Sequence, residues 1–224
     1  MPELPEVETI RRQLERLIIG KTISSIEVLN QGSFRADKDS LIGKSIAGVG
    51  RKGKVLIIKQ QATSNRQQDL YIHLKMSGQL GYKEEGKRKK EEGKTKNHLR
   101  VRIIFTDRSK LEFHDQRKFG WVRFVDLDGL HRLTAHLGAE PLSAAFTAQY
   151  FRRVARRYPN RAIKSVLMDN ALLVGVGNIY ADEICFCAGI RPTRRVRRIT
   201  DAQLTKLYRY IPRVLKLALR HKGT

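Results

Sequence analysis

Three things are scarce in this sequence: cysteine, acidic charge and long apolar runs. Cys185 and Cys187 are its only cysteines. One C-x-C pair cannot supply the four ligands of a structural zinc site, and nothing suggests a disulfide framework. No apolar stretch approaches the ~20 residues needed to cross a bilayer. The first residues are crowded with glutamate and do not read as a signal peptide. The expectation is a soluble, intracellular protein with no membrane partner. Acid is outnumbered, with 22 Asp+Glu against 45 Lys+Arg, for a formal net charge of +23. Such a surface repels itself unless a polyanion neutralises it. Nucleic acid is therefore the leading partner and an anionic membrane face the second.

The 224 residues leave room for one large domain or two modest ones, and they contain no internal repeat. From Pro5 to Ile19, apolar residues recur at helical spacing, and Gly20 stops the run. The period then changes to two. "TISSIEV", "KVLIIK", "LYIHLKM", "LRVRIIF", "KLEF" and "WVRFV" alternate, are rich in β-branched and aromatic residues, and predict two packed antiparallel sheets. In "LYIHLKM" the alternation puts Leu70, Ile72, Leu74 and Met76 on one face. The stretch "YKEEGKRKKEEGKTK" reads as a solvated hairpin tip or loop. Near Asp126 the pattern becomes helical. Helices are expected in "LHRLTAHLG" (ended by Gly138), "TAQYFRRVARRY", "RAIKSVLMDN" and "NIYADEICFCAG". A last helix starts at a Thr200/Gln203 capping box and should kink at Pro212. The fold class is α+β, a β-rich half followed by an α-rich half with the boundary at 126–140. The α-rich half is strongly basic: "RPTRRVRR" carries five arginines and "RRVARRYPNRAIK" six cations, either lining a phosphate backbone or forming a solvated face.

Three clusters could carry chemistry. "MPELPEVETI" puts a proline second and a carboxylate third. Removal of Met1 would expose the Pro2 secondary amine, a nucleophile toward a carbonyl or latent aldehyde carbon, with Glu3 as proton partner. Proline and glutamate also favour helix starts on structural grounds alone. "GVGNIYADE" combines glycines with a helix start at Asn178, which suits either a phosphate clamp or a tight helix–helix turn. "HLKMSG" and "DQRKFG" supply Met76, Arg117 and Phe119: a long apolar probe, a cation and an aromatic. These can fill the gap left by a base flipped from a duplex, or belong to the core.

Taken in order and spacing, "PELPEVETIRR", "RKGKVLII", "HLKMSG", "NHLRV", "DQRKFG", "AIKSVLMDN" and "GVGNIYADE" resemble the formamidopyrimidine-DNA glycosylase family over the whole chain. The leucine in "PELPE" favours this branch over the sister enzymes that act on oxidised pyrimidines. The resemblance implies a β-sandwich domain (1–130) with an N-terminal helix. It also implies a helical domain (131–224) with a helix-two-turn-helix motif, and a DNA cleft between the two. It implies a bifunctional glycosylase and abasic-site lyase that removes 8-oxoguanine and formamidopyrimidines from double-stranded DNA and then cuts by β-elimination. Pro2 would be the nucleophile, Glu3 the acid/base, Lys54 the lysine of the elimination step and Glu6 a supporting carboxylate. Met76, Arg117 and Phe119 would fill the void, with Arg117 paired to the orphaned base. His98, Lys164, Asn178 and Arg161 would contact phosphates. A cytoplasmic, nucleoid-associated monomer is expected.

The family continues past its last helix into a lesion-recognition loop and a four-cysteine zinc finger, whereas this sequence stops at "RHKGT". No metal or other cofactor is therefore expected, whether the chain is truncated or naturally short. Nucleophilic chemistry remains available on that reading; duplex affinity and δ-elimination are what the missing finger puts at stake. A non-catalytic binder of damaged DNA is the alternative from another class. A ribosome-associated module is the third, disfavoured by the Pro2–Glu3 terminus.

Overall fold

In a computed structural model, residues 1–35, 37–61, 68–86 and 98–223 are described. Most of the lysine- and glutamate-rich loop expected from the sequence lies outside them. Two compact units divide the chain. One comprises Met1–Pro2 and Val7–Leu133, the other Glu3–Glu6 and Thr134–Thr224.

Helix α1 (Leu4–Ile18) follows the apolar spacing, with Val7, Leu14 and Ile18 buried, and Gly20 at φ +80° ends it. Nine strands follow among the described residues: β1 (Ile23–Val28), β2 (Phe34–Arg35), β3 (Ile46–Lys52), β4 (Val55–Gln60), β5 (Gln68–His73), β6 (Gly78–Lys83), β7 (Leu99–Phe105), β8 (Lys110–Asp115) and β9 (Trp121–Asp126). They form a four-stranded sheet, β1-β7-β8-β6, and a five-stranded sheet, β2-β9-β5-β4-β3. All pairings are antiparallel except the short parallel pair β2–β9, a departure from the purely antiparallel expectation. In β7 the alternation is strict: Leu99, Val101, Ile103 and Phe105 face inward. Val101, Ile103 and Phe105 join side chains of α1 and of both sheets in one apolar core. Each contributes about 1.5–3 kcal/mol by leaving water.

One register expectation fails at the loop that carries Met76. "LYIHLKM" does not stay extended to Met76, because β5 ends at His73. Lys75 takes φ +53°, and the Gly78 N–H donates to the Leu74 carbonyl at 2.9 Å, closing a tight turn. A Cβ at Gly78 would lie 2.3 Å from that oxygen, so the turn needs glycine. Leu74 stays in the core while Met76 is turned outward and 46% exposed.

Helix α2 (Leu127–Thr134), at the boundary between the units, closes earlier than the expected stop at Gly138. Gly138 instead donates to the Asn170 carbonyl, and a Cβ there would meet the Leu172 backbone at 2.5 Å. Thr147 caps α3 (Ala148–Arg156). Then come α4 (Ile163–Leu167) and α5 (Asn178–Ala188), joined by the double turn of residues 168–177, and α6 (Asp201–Arg220). The expected capping box is present: the Gln203 N–H donates to Thr200 Oγ1 at 3.2 Å, and the Thr200 N–H to Gln203 Oε1 at 3.0 Å. Helix α6 runs unbroken through Pro212, with Leu204, Leu207, Ile211, Val214 and Leu215 buried on its inner face. Gly189, at φ +66°, terminates α5 with N–H groups of residues 189 and 190 returning to the Phe186 and Cys185 carbonyls.

Candidate active site

Residues Glu3 and Leu4 are held by the turn and helix start at 175–180. The Leu4 N–H donates to the Gly175 carbonyl at 2.9 Å. The Glu3 side chain, only 2% exposed, accepts from the N–H groups of Gly177 (2.6 Å), Ile179 (2.9 Å) and Tyr180 (3.4 Å). These are the unsatisfied donors at the start of α5, at the positive end of its dipole. The glycine-rich start of this helix suits either a phosphate clamp or a tight turn in sequence; in the structure the group that takes its N–H donors is Glu3. A Cβ at Gly177 would lie 2.4 Å from the Glu3 carboxyl carbon, so the glycine makes room for this contact.

Glu6 sits one turn along α1. Its Oε2 accepts from the Glu3 N–H at 2.8 Å, fixing the peptide that joins Pro2 to Glu3, which is half of a capping box. Its Oε1 accepts from the Tyr180 hydroxyl. Glu3, Glu6 and Tyr180 thus form one connected set, with Pro2 half-buried immediately before it and Met1 exposed. The role of Tyr180 was not evident in the sequence. It stands within "GVGNIYADE", but nothing there links its hydroxyl to a residue 174 positions away.

Lys54 lies in the two-residue turn between β3 and β4, where Gly53 takes φ +59°, and it is buried. Arg51 braces that turn: Nη1 donates to the Gly53 carbonyl at 2.7 Å and Nε to Glu8 Oε2 at 3.0 Å. Burial pushes the Glu8 carboxyl upward, but hydrogen bonds from Arg12, Arg51 and Arg11 outweigh it and hold the group below its ordinary value. The turn carrying Lys54 is thereby tied to the second turn of α1. His73 is pushed down to about 4 by burial and by the positive charges of Lys75 and Lys54. Its Nδ1 accepts the Lys75 N–H at 3.0 Å, a bond that the neutral ring makes.

Met76, Arg117 and Phe119 come together around a carboxylate. Asp115, fully buried, accepts from the Gly120 N–H at 2.7 Å and the Arg117 N–H at 3.2 Å, and also from the Ser77 hydroxyl. Ser77 Oγ accepts from the Arg117 N–H as well, at 3.0 Å. One buried group thus joins the loop carrying Met76 to the loop carrying Arg117 and Phe119. All three side chains are exposed, Phe119 at 55%, and the Arg117 guanidinium lies 4.9 Å from the Phe119 ring centre. Lys75 and Lys118, next to these side chains, hold positive φ, a strain that such loops keep only when their surroundings fix it. "DQRKFG" contains Asp115, but a surface aspartate and a buried hub look alike in sequence.

The expected phosphate contacts are dispersed. His98 is half-buried ahead of β7, whose Leu99 pairs with His114, so it lies at the sheet end where Asp115 emerges. Lys164 Nζ donates to Asp182 at 2.7 Å. Asn178 is exposed one turn before Asp182 on α5, which puts it on the same face. Arg161 donates to Asp169 at 2.8 Å and to the Ser165 carbonyl at 2.9 Å, and it covers the Tyr158 ring. Cys185 and Cys187 both sit on α5; Cys185 is buried, and burial raises its thiol to about 11. They do not fit the four-thiolate zinc site of the family named above.

Comparison with known proteins covers both units. The formamidopyrimidine-DNA glycosylase N-terminal domain matches residues 1–122, and the H2TH domain of the same enzymes matches residues 137–224. The formamidopyrimidine-DNA glycosylase of Actinobacillus pleuropneumoniae serotype 3 is 39% identical over all of this chain and 79% of its own length. That of Bacillus licheniformis is 35% identical over all of this chain and 80% of its own. Among solved structures, the Lactococcus lactis Fpg bound to abasic-site DNA superposes with TM-score 0.87 and 31% identity, covering 99% of this chain and 80% of that one. Its G226P mutant with Fapy-dG-containing DNA superposes equally well, with TM-score 0.87 and 31% identity over all of this chain and 80% of that one.

Proposed function

The chain belongs to the formamidopyrimidine-DNA glycosylase family, and from that premise we propose that it removes oxidised purines through the amine of Pro2. It is a DNA glycosylase and abasic-site lyase of base excision repair, and double-stranded DNA is its partner. After loss of Met1, the Pro2 nitrogen attacks C1′ of the damaged nucleotide. The bond from C1′ to the base breaks, and the base leaves with the electron pair and takes up a proton. Glu3 takes the proton left on the bonded Pro2 nitrogen, and the freed lone pair then expels the ring oxygen, to which Glu3 passes that proton, leaving an iminium. The iminium acidifies the C2′ proton. Its removal, assisted by Lys54, expels the 3′ phosphate and cuts the strand, and water then releases Pro2.

The observation that carries this reading is the burial of Glu3 beside Pro2. Burying a carboxylate is costly unless donors compensate, and here the start of a helix supplies them. A non-catalytic binder gives no reason for such an arrangement at a chain start. Glu6 steadies the Pro2–Glu3 peptide. Met76, Arg117 and Phe119 enter the duplex at the lesion, and His98, Arg161, Lys164 and Asn178 hold phosphates. None of these bond changes calls for a metal, and a monomer in the nucleoid-bearing cytoplasm is sufficient to carry them out.

Borohydride trapping on a sample of known intact mass tests the reading. A covalent adduct through Pro2 is expected with both 8-oxoguanine and abasic duplexes. No adduct with either, once Met1 has been removed, overturns it.

A further inference from the structure

The outer face of α6 carries a line of cations that the excision chemistry does not use. Lys206, Arg209, Arg213, Lys216 and Arg220 recur at intervals of three and four, and all five are exposed. The fourteen residue steps from Lys206 to Arg220 rise about 21 Å, the axial rise of about six base pairs. Asp201 is the only acidic residue on the helix, and Arg156 pairs with it at 2.7 Å. Among the described residues, no carboxylate lies within ion-pair distance of the five.

The upper part of this line forms a groove of about 470 Å³ lined by Ala202, Thr205, Lys206, Arg209, Tyr210 and Arg213. The small residues leave space between the cations. Lys206 and Arg213 flank the Tyr210 ring at 6.0 and 5.7 Å.

We propose that this face is a second DNA-binding surface, which takes the phosphate backbone of an undamaged duplex segment. Its position separates it from the first site. Lys206 Nζ lies 3.7 Å from where a Cβ on Gly189 would be, at the C-terminal end of α5. Glu3 occupies the opposite end of that helix, whose 11 residues are about 16 Å long. Charge decides the occupant. A basic helix that lies on a membrane inserts an apolar face, but the apolar face of α6 is already buried in the protein core. What α6 offers outward is five cations with Leu217 the single large apolar side chain exposed among them, which suits a polyanion rather than insertion into a bilayer. A lesion-bound enzyme would thus hold a second stretch of DNA, raising its local concentration for the next search.

The test replaces Lys206, Arg209 and Arg213 together by glutamine in the full chain. Wild type should bring donor- and acceptor-labelled undamaged duplexes together, and the variant should not. The slope of log affinity against log salt for undamaged duplex should shrink by about 2–3, at ~0.9 for each phosphate no longer neutralised. Single-turnover excision on a short lesion duplex should stay within twofold, which separates this proposal from the failure of the Pro2 mechanism. Arg209→Lys with Arg213→Lys should retain pairing. Should the triple variant fold poorly by circular dichroism, Arg209→Glu alone should still lower the slope by about one. The proposal is overturned by absence of pairing in wild type, by an unchanged slope, or by excision falling tenfold with the slope. Preferential capture of an RNA hairpin or anionic vesicles over DNA overturns it too.

Discussion

The chain start and the paired loops of the β-sandwich use the same device for opposite ends. Each is organised by one buried carboxylate that accepts backbone N–H groups: Glu3 at the start of α5, and Asp115 between the loops of Met76 and Phe119. On the proposed mechanism the buried carboxylate at the chain start is itself the reactive group, so the anchor and the chemistry coincide. In the loops it is only the anchor, and the side chains of Met76, Arg117 and Phe119 project around it into solvent. Proton transfer needs a group fixed to within a fraction of an ångström. Wedging into a duplex needs exposed bulk on a stiff support. The difference predicts that damage to the two hubs is felt in different measurements.

Glu3→Gln should have the largest effect. Losing the acid/base group should slow single-turnover excision by about 100- to 10,000-fold, while binding to an abasic-site analogue stays within a few-fold. A matching loss of binding would mean that Glu3 is a structural anchor alone. Asp115→Asn should do the reverse. An amide cannot accept from the Gly120, Arg117 and Ser77 donors together, so thermal denaturation should register a loss of about 1–3 kcal/mol. Lesion-duplex affinity should fall, while trapping at saturating abasic DNA persists. Phe119→Ala removes one exposed ring and leaves the hub intact. It should weaken binding by about 1–3 kcal/mol with an unchanged melting temperature. The smallest effect concerns His73, whose folded pKa of about 4 lies below its ordinary 6.5. Between those values the unfolded chain binds a proton that the folded one does not, so stability is lost as pH falls from about 6.5 to about 4. His73→Gln should flatten that part of the stability–pH curve.

What the sequence made legible was local. The apolar spacing of α1, the Thr200/Gln203 cap and the strict alternation of β7 are set by neighbours within a few residues, and each appears in the structure. Strands β3 and β6 did not stand out, because Gly48, Gly50, Gly78 and Gly81 interrupt their alternation. The turn at Lys75 was hidden because Leu70, Ile72, Leu74 and Met76 continue a strand pattern past the residue where the backbone reverses. At the candidate site, the motif residues were readable as types at a spacing, whereas their supports were not. Tyr180, Asp115 and Arg51 act through partners brought by the fold, and no local pattern announces such partners.

The hydrogen bond from Gly177 to Glu3 also has a consequence in time. Its two residues are 174 positions apart. At synthesis rates of ~5–20 residues per second, the start of the chain waits roughly 10–30 s before its partners exist. Throughout that interval Met1 is undocked and open to removal, and the amine behind it has no organised carboxylate beside it. On the proposed mechanism the site is therefore assembled only when α5 has been made and has packed on the chain start, so reactivity arrives late in folding.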